Sequence, residues 1–335
     1  MSSETQPATT KVFFREAIAR AMREAMRDDP RVILLGQDVG PFGGSYKEFV
    51  GLSAAFGPTR VRDTPVAEEA MIGLGVGAAA AGLRPVVSIT YMDFMMLGLD
   101  PLVNYAAKAR FKTGGQIRTP LVVKTTAGAK GQGVAHSQCL EAWLMSVPGL
   151  KVVAPSTPAD AYGLLKAAML EDGPVVFMDH KRLFPTAGEV PVAEGHVPIG
   201  KAVVRRAGTD VTLATHSYMT RIALEAAETL DRLGVSCEVI DLRSLAPLDI
   251  ETIAQSAART GALVTLEEGQ LTCGVGVEIL YQVLERVGPI ATARVGALPA
   301  PVSSNPVLEA AALPDADRVI TAIRRLLEPP RPGKS

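Results

Sequence analysis

Five short, mainly apolar runs, rich in valine, recur through the first half of the chain: 32–35, 85–89, 120–124, 150–154 and 174–178. None alternates polar with apolar residues, so each reads as a strand buried on both faces. Stretches with helical spacing separate them, around 94–111, 138–147 and 158–171. A first helix over 11–29 places Phe14, Ile18, Ala21, Met22, Ala25 and Met26 on one side. Buried strands alternating with helices predict the α/β class, a mostly parallel sheet flanked by helices. The rhythm breaks over 181–200, where Pro185, Gly188, Pro191, Gly195 and Pro198 are too dense for a regular element. Alternation then resumes, with strands at 211–215, 235–242 and 263–267 and helices at 220–233, 274–286 and 316–327. The expectation is two α/β domains, 11–185 and 201–328, joined by a linker at 186–200, which suits a chain of 335 residues. The tail EPPRPGKS is expected to fray.

Composition closes several function classes. Thirty-four Lys and Arg against thirty-five Asp and Glu leave no basic excess, and aromatics are only 5%, which argues against a nucleic-acid partner. Three scattered cysteines, Cys139, Cys237 and Cys273, form no CxxC pair and no even disulfide framework. The first ten residues have no apolar signal core, and the uncharged stretch 70–83 is too short to span a membrane. A bacterial-type cytoplasmic location without membrane contact is therefore expected. The phosphate-loop, HExxH and GxSxG patterns are missing, and His136, His180, His196 and His216 show no metal-ligand spacing.

One motif tempts toward another enzyme. Gly73, Gly75 and Ala78 satisfy GxGxxA, with Asp93 twenty residues after Gly73, as in a nicotinamide dinucleotide site. That site needs a strand running directly into the first glycine. Here the sequence Thr64-Pro-Val-Ala-Glu-Glu-Ala precedes it, so a helix with a Gly/Ala face that admits a close neighbour is the better reading. An NAD-dependent dehydrogenase is kept as the alternative.

The segments richest in chemistry are Leu35-Gly-Gln-Asp-Val39, Arg62-Asp-Thr-Pro-Val-Ala-Glu68, Gly82-Leu-Arg-Pro-Val-Val87 and Ala135-His-Ser-Gln138. Farther on come Pro148 to Pro158, His180-Lys-Arg-Leu183 and Val239-Ile-Asp-Leu-Arg243. In this order, from about 11 to 327, they resemble the β subunit of the E1 component of 2-oxo acid dehydrogenase complexes, the pyruvate, branched-chain and acetoin enzymes. The resemblance implies a transketolase-like pyrimidine-binding domain followed by a transketolase-like C-terminal domain. It implies oxidative decarboxylation of a 2-oxo acid with thiamine diphosphate and acyl transfer to lipoyl groups of an E2 acyltransferase core. The working assembly would be an α2β2 heterotetramer in which the α chain holds the diphosphate and Mg2+. The diphosphate signature, Gly-Asp-Gly followed by paired Asn, is missing from this chain. His180-Lys-Arg-Leu and Pro155-Ser-Thr-Pro lean toward branched-chain or acetoin members. A partner that only assembles an enzyme is the non-catalytic alternative.

The resemblance also assigns residues. Glu68 matches the carboxyl that shares a proton with N1′ of the aminopyrimidine, general acid–base catalysis exerted through the cofactor; without it, Glu68 reads equally well as a helix-terminal carboxylate. His136, in a glycine-rich loop, matches a histidine that moves protons and meets the lipoyl group. A lone histidine is otherwise usually structural. Phe94 matches an aromatic packed on the pyrimidine, where a core phenylalanine would be the plain reading. Tyr91 is a neighbour, and Tyr46 is placed near the entrance. Gln37 stands where the family carries a glutamate of an acidic relay, keeping hydrogen bonding but no charge; Asp38 is the substitute in reach. Ala67 replaces a small polar residue. Ala168, Glu171 and Gly173 match a loop that binds a monovalent cation, K+, equally readable as a helix C-terminus. Glu267 and Glu268 are expected to form a solvated strand end.

Overall fold

The structure is a computed structural model and describes residues 8–328. In chain order, the first half carries β1 (Thr9–Phe13), β2 (Val32–Gly36), β3 (Val61–Asp63), β4 (Arg84–Ile89), β5 (Val122–Ala127), β6 (Lys151–Val153), β7 (Val175–His180) and β8 (Ala187–Pro191). The second half adds β9 (Val203–Arg206), β10 (Val211–Thr215), β11 (Cys237–Asp241), β12 (Ser244–Ala246), β13 (Ala262–Gln270) and β14 (Ala291–Ala297). Seven strands form one sheet in the order β12-β6-β7-β5-β4-β2-β3, and five form another, β14-β13-β10-β11-β9. Within these two sheets, among the described residues, all pairs are parallel except the two edge pairs β12–β6 and β11–β9. The apolar runs sit where double-sided burial requires: every residue of β2, β5 and β7 is buried.

The two sheets share a core. Leu144, Leu150 and Val152 pack in one cluster with Leu242, Leu245, Ile253, Val275 and Ile279 from the second half. Polar ties reinforce this contact: Arg205 pairs with Asp241 at 2.8 Å and also with Asp160. Inside the first half, the buried Lys124 ammonium lies 2.7 Å from Glu48 and 3.0 Å from Asp179, with the rings of Phe49 and Phe184 within 6 Å.

Several expectations need correcting. The segment read as a structureless linker contains β8, paired antiparallel with β1. Gly188 fits there because a Cβ would lie 3.0 Å from the ring of Pro158. The helix expected over 94–111 is broken into Met92–Met95, a 3-10 turn at Met96–Gly98, a wide π turn at Asp100–Ala106 and a short helix at Ala109–Lys112. Gly98 presses on Ile72 and the Glu68 carbonyl, leaving no room for a side chain, and Pro101 has no N–H to give a regular ladder. The helix expected over 138–147 shrinks to Glu141–Met145, because the Gln138 backbone and side chain are both bound to Asp93. The tail after Glu328 and the first seven residues, read above for fraying and for a signal, lie outside the described residues.

Candidate active site

In a parallel sheet, the loops that follow the strands gather at one edge, where α/β sites are built. Gln37 follows β2, Glu68 lies beyond β3, Tyr91 and Phe94 follow β4, His136 sits in the loop after β5, and Lys181 follows β7. Gln37, Glu68, Tyr91, Phe94 and His136, selected from the sequence, therefore come from the ends of neighbouring strands, whereas Ala168, Glu171 and Gly173 lie before β7.

Glu68 opens the helix Glu68–Ala80 and is only 9% exposed. Among the described residues its carboxylate enters no ion pair or hydrogen bond with a side chain. The helix N-terminus favours its charge, yet a buried carboxylate normally finds a donor, so Glu68 is an acceptor held ready. Gly98 touches the Glu68 carbonyl, which packs the Phe94 segment against the head of this helix.

His136, Tyr91 and Phe94 meet edge to face. The imidazole centroid is 4.5 Å from the Tyr91 ring and 5.2 Å from Phe94, and the latter two are 6.1 Å apart. Gln132 Nε2 donates to the Tyr91 hydroxyl at 3.2 Å. Tyr46 stacks on Phe184 at 4.5 Å, and its buried hydroxyl lies beside Tyr91 and Gln132 without a hydrogen-bond partner. Burial holds that phenol protonated, well above the usual tyrosine range.

The loop carrying His136 is tied down from several sides. Lys181 Nζ donates to the Gly128 carbonyl at 2.8 Å and to the His136 carbonyl. Glu268 accepts from Ala129 N–H at 2.7 Å, Glu309 accepts from Gly131 N–H at 2.6 Å, and Arg182 joins Glu309 to the Ala129 carbonyl. His180 accepts from Arg182 N–H through Nδ1 at 3.1 Å, which leaves Nε2–H to donate to Glu268 at 2.9 Å.

The solvated strand end expected at Glu267 and Glu268 is thus overturned. Both are buried inside β13, Glu267 accepting from Val275 and Gly276 N–H and Glu268 bridging the two halves. Adjacent carboxylates resembled a polar terminus in sequence, and only the three-dimensional neighbours show otherwise. Lys181 was missed for a similar reason, since its partners are main-chain carbonyls that leave no sequence signal.

Other residues stand farther from this cluster or make less of it. Gln37 is half-buried and donates only to its neighbour Asp38, at 3.5 Å, among the described residues; Asp38 adopts a left-handed φ of 56°. Ala67 occupies the helix N-cap without a side-chain cap. In the turn holding Ala168, Glu171 and Gly173, Arg84 donates to the carbonyls of Met169 and Glu171 at 2.9 and 3.0 Å, and Lys151 pairs with the Glu171 carboxylate at 2.5 Å. The acidic side chain expected for a cation site is already engaged by a lysine. The dinucleotide alternative fails on geometry: Gly73 and Gly75 are inside a helix, not in a strand-to-helix turn. Asp93, the proposed ribose ligand, accepts from Gln138 instead. Gly75 serves packing, because a Cβ there would come 2.6 Å from Val87. All three cysteines are free.

Comparison with known proteins fits this geometry. Residues 10–186 match the transketolase pyrimidine-binding domain family and residues 200–319 the transketolase C-terminal domain family. The mitochondrial pyruvate dehydrogenase E1 component subunit beta-1 of Arabidopsis thaliana is 44% identical over 93% of this chain and 88% of that protein. The corresponding rice protein is 43% identical over 95% and 87%. This chain belongs to the E1 beta-subunit family. A bacterial relative, the pyruvate dehydrogenase E1 subunit beta of Rhizobium meliloti, is 41% identical over 96% of this beta subunit and 70% of its own length. Among solved structures, a chain described as a split-gene transketolase, inactive beta4 tetramer, superposes with a TM-score of 0.78 at 25% identity, covering 94% of this chain and 98% of that one. These E1 relatives are pyruvate dehydrogenase subunits, against the leaning toward branched-chain or acetoin members. No helix among the described residues is long and apolar enough to cross a membrane.

An E1 beta subunit with a pyrimidine-binding domain implies thiamine diphosphate and an E1 alpha partner. The residues present fit the pyrimidine end of that cofactor: an unpartnered, nearly buried carboxylate at a helix head, with an aromatic cluster beyond the neighbouring strand.

Proposed function

We propose that this chain is the β half of a pyruvate-type E1, an α2β2 heterotetramer that decarboxylates a 2-oxo acid and passes the acyl group to lipoyl groups of an E2 acyltransferase. The observation that carries the proposal is the unpartnered Glu68 carboxylate at the head of its helix. Thiamine diphosphate, when bound, supplies a carbon nucleophile for the 2-oxo acid carbonyl and a sink for the electrons released with CO2. Glu68 holds and returns a proton at N1′ of the pyrimidine, and its burial keeps water from competing for it. Phe94 and Tyr91 give the ring an apolar bed. His136, whose imidazole nitrogens can accept and donate a proton, moves protons on the substrate side. Gln37 offers hydrogen bonds there but no proton to relay.

Diphosphate and Mg2+ fall to the α partner, because this chain lacks the Gly-Asp-Gly signature. Close pairing is supported by the outer face of the Glu68 helix. Among the described residues nothing lies within 4 Å of where a Cβ at Gly73 or Gly77 would stand, and Leu74 between them is 54% exposed. The turn at 168–173 stays outside the proposal, since Arg84 and Lys151 already engage its oxygens. Three free cysteines suit a reducing, bacterial-type cytoplasm.

Native mass spectrometry of the complex captured on this chain from its own cells tests the assembly. Two such chains with two α partners and two thiamine diphosphates are expected. A homo-oligomer that stays free of the cofactor when thiamine diphosphate and Mg2+ are supplied would overturn the proposal.

A further inference from the structure

Lys181 is fully buried, and among the described residues no carboxylate lies within ion-pair distance of its ammonium. A buried cation without a counterion is costly and persists only where other groups compensate it. Its compensation is local and specific. It donates to the carbonyl of Gly128, at the start of the glycine-rich loop, and to the carbonyl of His136 itself. Its Nζ also lies 5.0 Å from the centre of the Tyr91 ring, the ring that meets the His136 imidazole edge to face at 4.5 Å. One side chain thus fixes the loop at two points eight residues apart and also steadies the aromatic neighbour of the imidazole. Gly128, Gly131 and Gly133 all have positive φ, so the loop has little intrinsic stiffness to hold His136 in place. The carbonyls are bound by a rigid strand end: Lys181 follows β7, whose register with β5 pairs Ala127 with His180.

We infer that Lys181 is a positioning residue for His136, fixing the imidazole through the two loop carbonyls and the Tyr91 ring. The inference rests on the reading in which His136 works on the substrate side of the cofactor. Burial presses the Lys181 pKa below its ordinary value, against the pull of the more distant Asp93, Glu268 and Glu309 carboxylates.

The test uses the assembled complex carrying Lys181→Met, His136→Gln or both. Lys181→Met is expected to lower kcat by about ten- to a hundredfold, a loss typical of a misplaced catalytic group. KM for the 2-oxo acid and thiamine diphosphate affinity should stay within about twofold, and backbone amides of 133–137 should exchange faster. Because both residues act through one imidazole, the double variant should be no slower than His136→Gln alone, within about twofold. Kinetic effects that multiply in the double variant, or a Lys181→Met kcat within about twofold of the parent while His136→Gln is impaired, would overturn the inference. A normal His136→Gln enzyme would instead overturn the reading beneath it. If Lys181→Met does not assemble, Lys181→Gln, which keeps an N–H donor, decides by the same double-variant comparison.

Discussion

Glu268, in the second half of the chain, accepts the backbone N–H of Ala129 at 2.7 Å and the Nε2–H of His180 at 2.9 Å, tying the loop that carries His136 to the other sheet. The C-terminal half thereby helps shape the site as well as supporting it. Burial pushes the Glu268 pKa up, but His180, the Ala129 N–H and Arg182 outweigh it and hold the carboxyl below its usual range. A depressed carboxylate stabilises the fold above its unfolded pKa and loses that contribution as pH falls through its folded one. Glu268→Ala leaves two buried donors unpaired, so a loss of about 2–4 kcal/mol in unfolding free energy is expected. Equilibrium denaturation should also show a weaker acid dependence than in the parent chain. Unchanged stability at neutral pH would contradict the bridge.

Asp179 gives the opposite sign. Burial and the nearby Glu48 raise its pKa to about 6, against the attraction of Lys124. A folded state that binds the proton more tightly than the unfolded chain loses stability as pH rises from about 4 to about 6, by on the order of 3 kcal/mol from this group. Asp179→Asn should flatten that part of the stability profile, as measured by denaturant titration at a series of pH values. A profile parallel to the parent's would count against it.

Lys124, at the centre of the same network, is the cation shared by Glu48 and Asp179. Lys124→Met strands two buried carboxylates and is expected to cost about 3–5 kcal/mol. Thermal unfolding checks this, and a melting temperature within a degree or two of the parent's would show that the cluster is not mutually compensating.

Gly75 and Gly73 separate packing from pairing. A Cβ at Gly75 would meet Val87 at 2.6 Å, whereas one at Gly73 would meet nothing within 4 Å among the described residues. Gly75→Leu should therefore destabilise the chain itself by overpacking. Gly73→Leu should leave its fold intact and weaken capture of the α partner, read by pull-down and by native mass. Full assembly with Gly73→Leu would remove that helix face from the interface.

Much of this was legible in the sequence, and the limits are physical. The buried valine runs marked the parallel strands because double-sided burial favours apolar side chains on both faces, and the few polar residues there, such as Lys124 and Asp179, are paired. The helix at 316–327 carried a clean apolar stripe and is found at Ala316–Leu327. Edge elements such as β8 and β14 were invisible, since half-exposed strands with glycine or proline carry no run. The resemblance brought Glu68, Tyr91, Phe94 and His136 into view, and the fold gathers all four at successive strand ends. Glu268 and Lys181 escaped because their work is done on backbone atoms from distant segments. Long-range hydrogen bonds of that kind have no local pattern to read.

The central claim is that Glu68 exchanges a proton with the pyrimidine of bound thiamine diphosphate. The direct measurement is the rate of hydrogen exchange at C2 of the bound thiazolium, in the assembled complex with parent chain or Glu68→Gln. A fall of at least a hundredfold in Glu68→Gln, with the cofactor still bound and the assembly intact, is the predicted result. Exchange at the parent rate in Glu68→Gln would contradict the assignment and with it the proposed site.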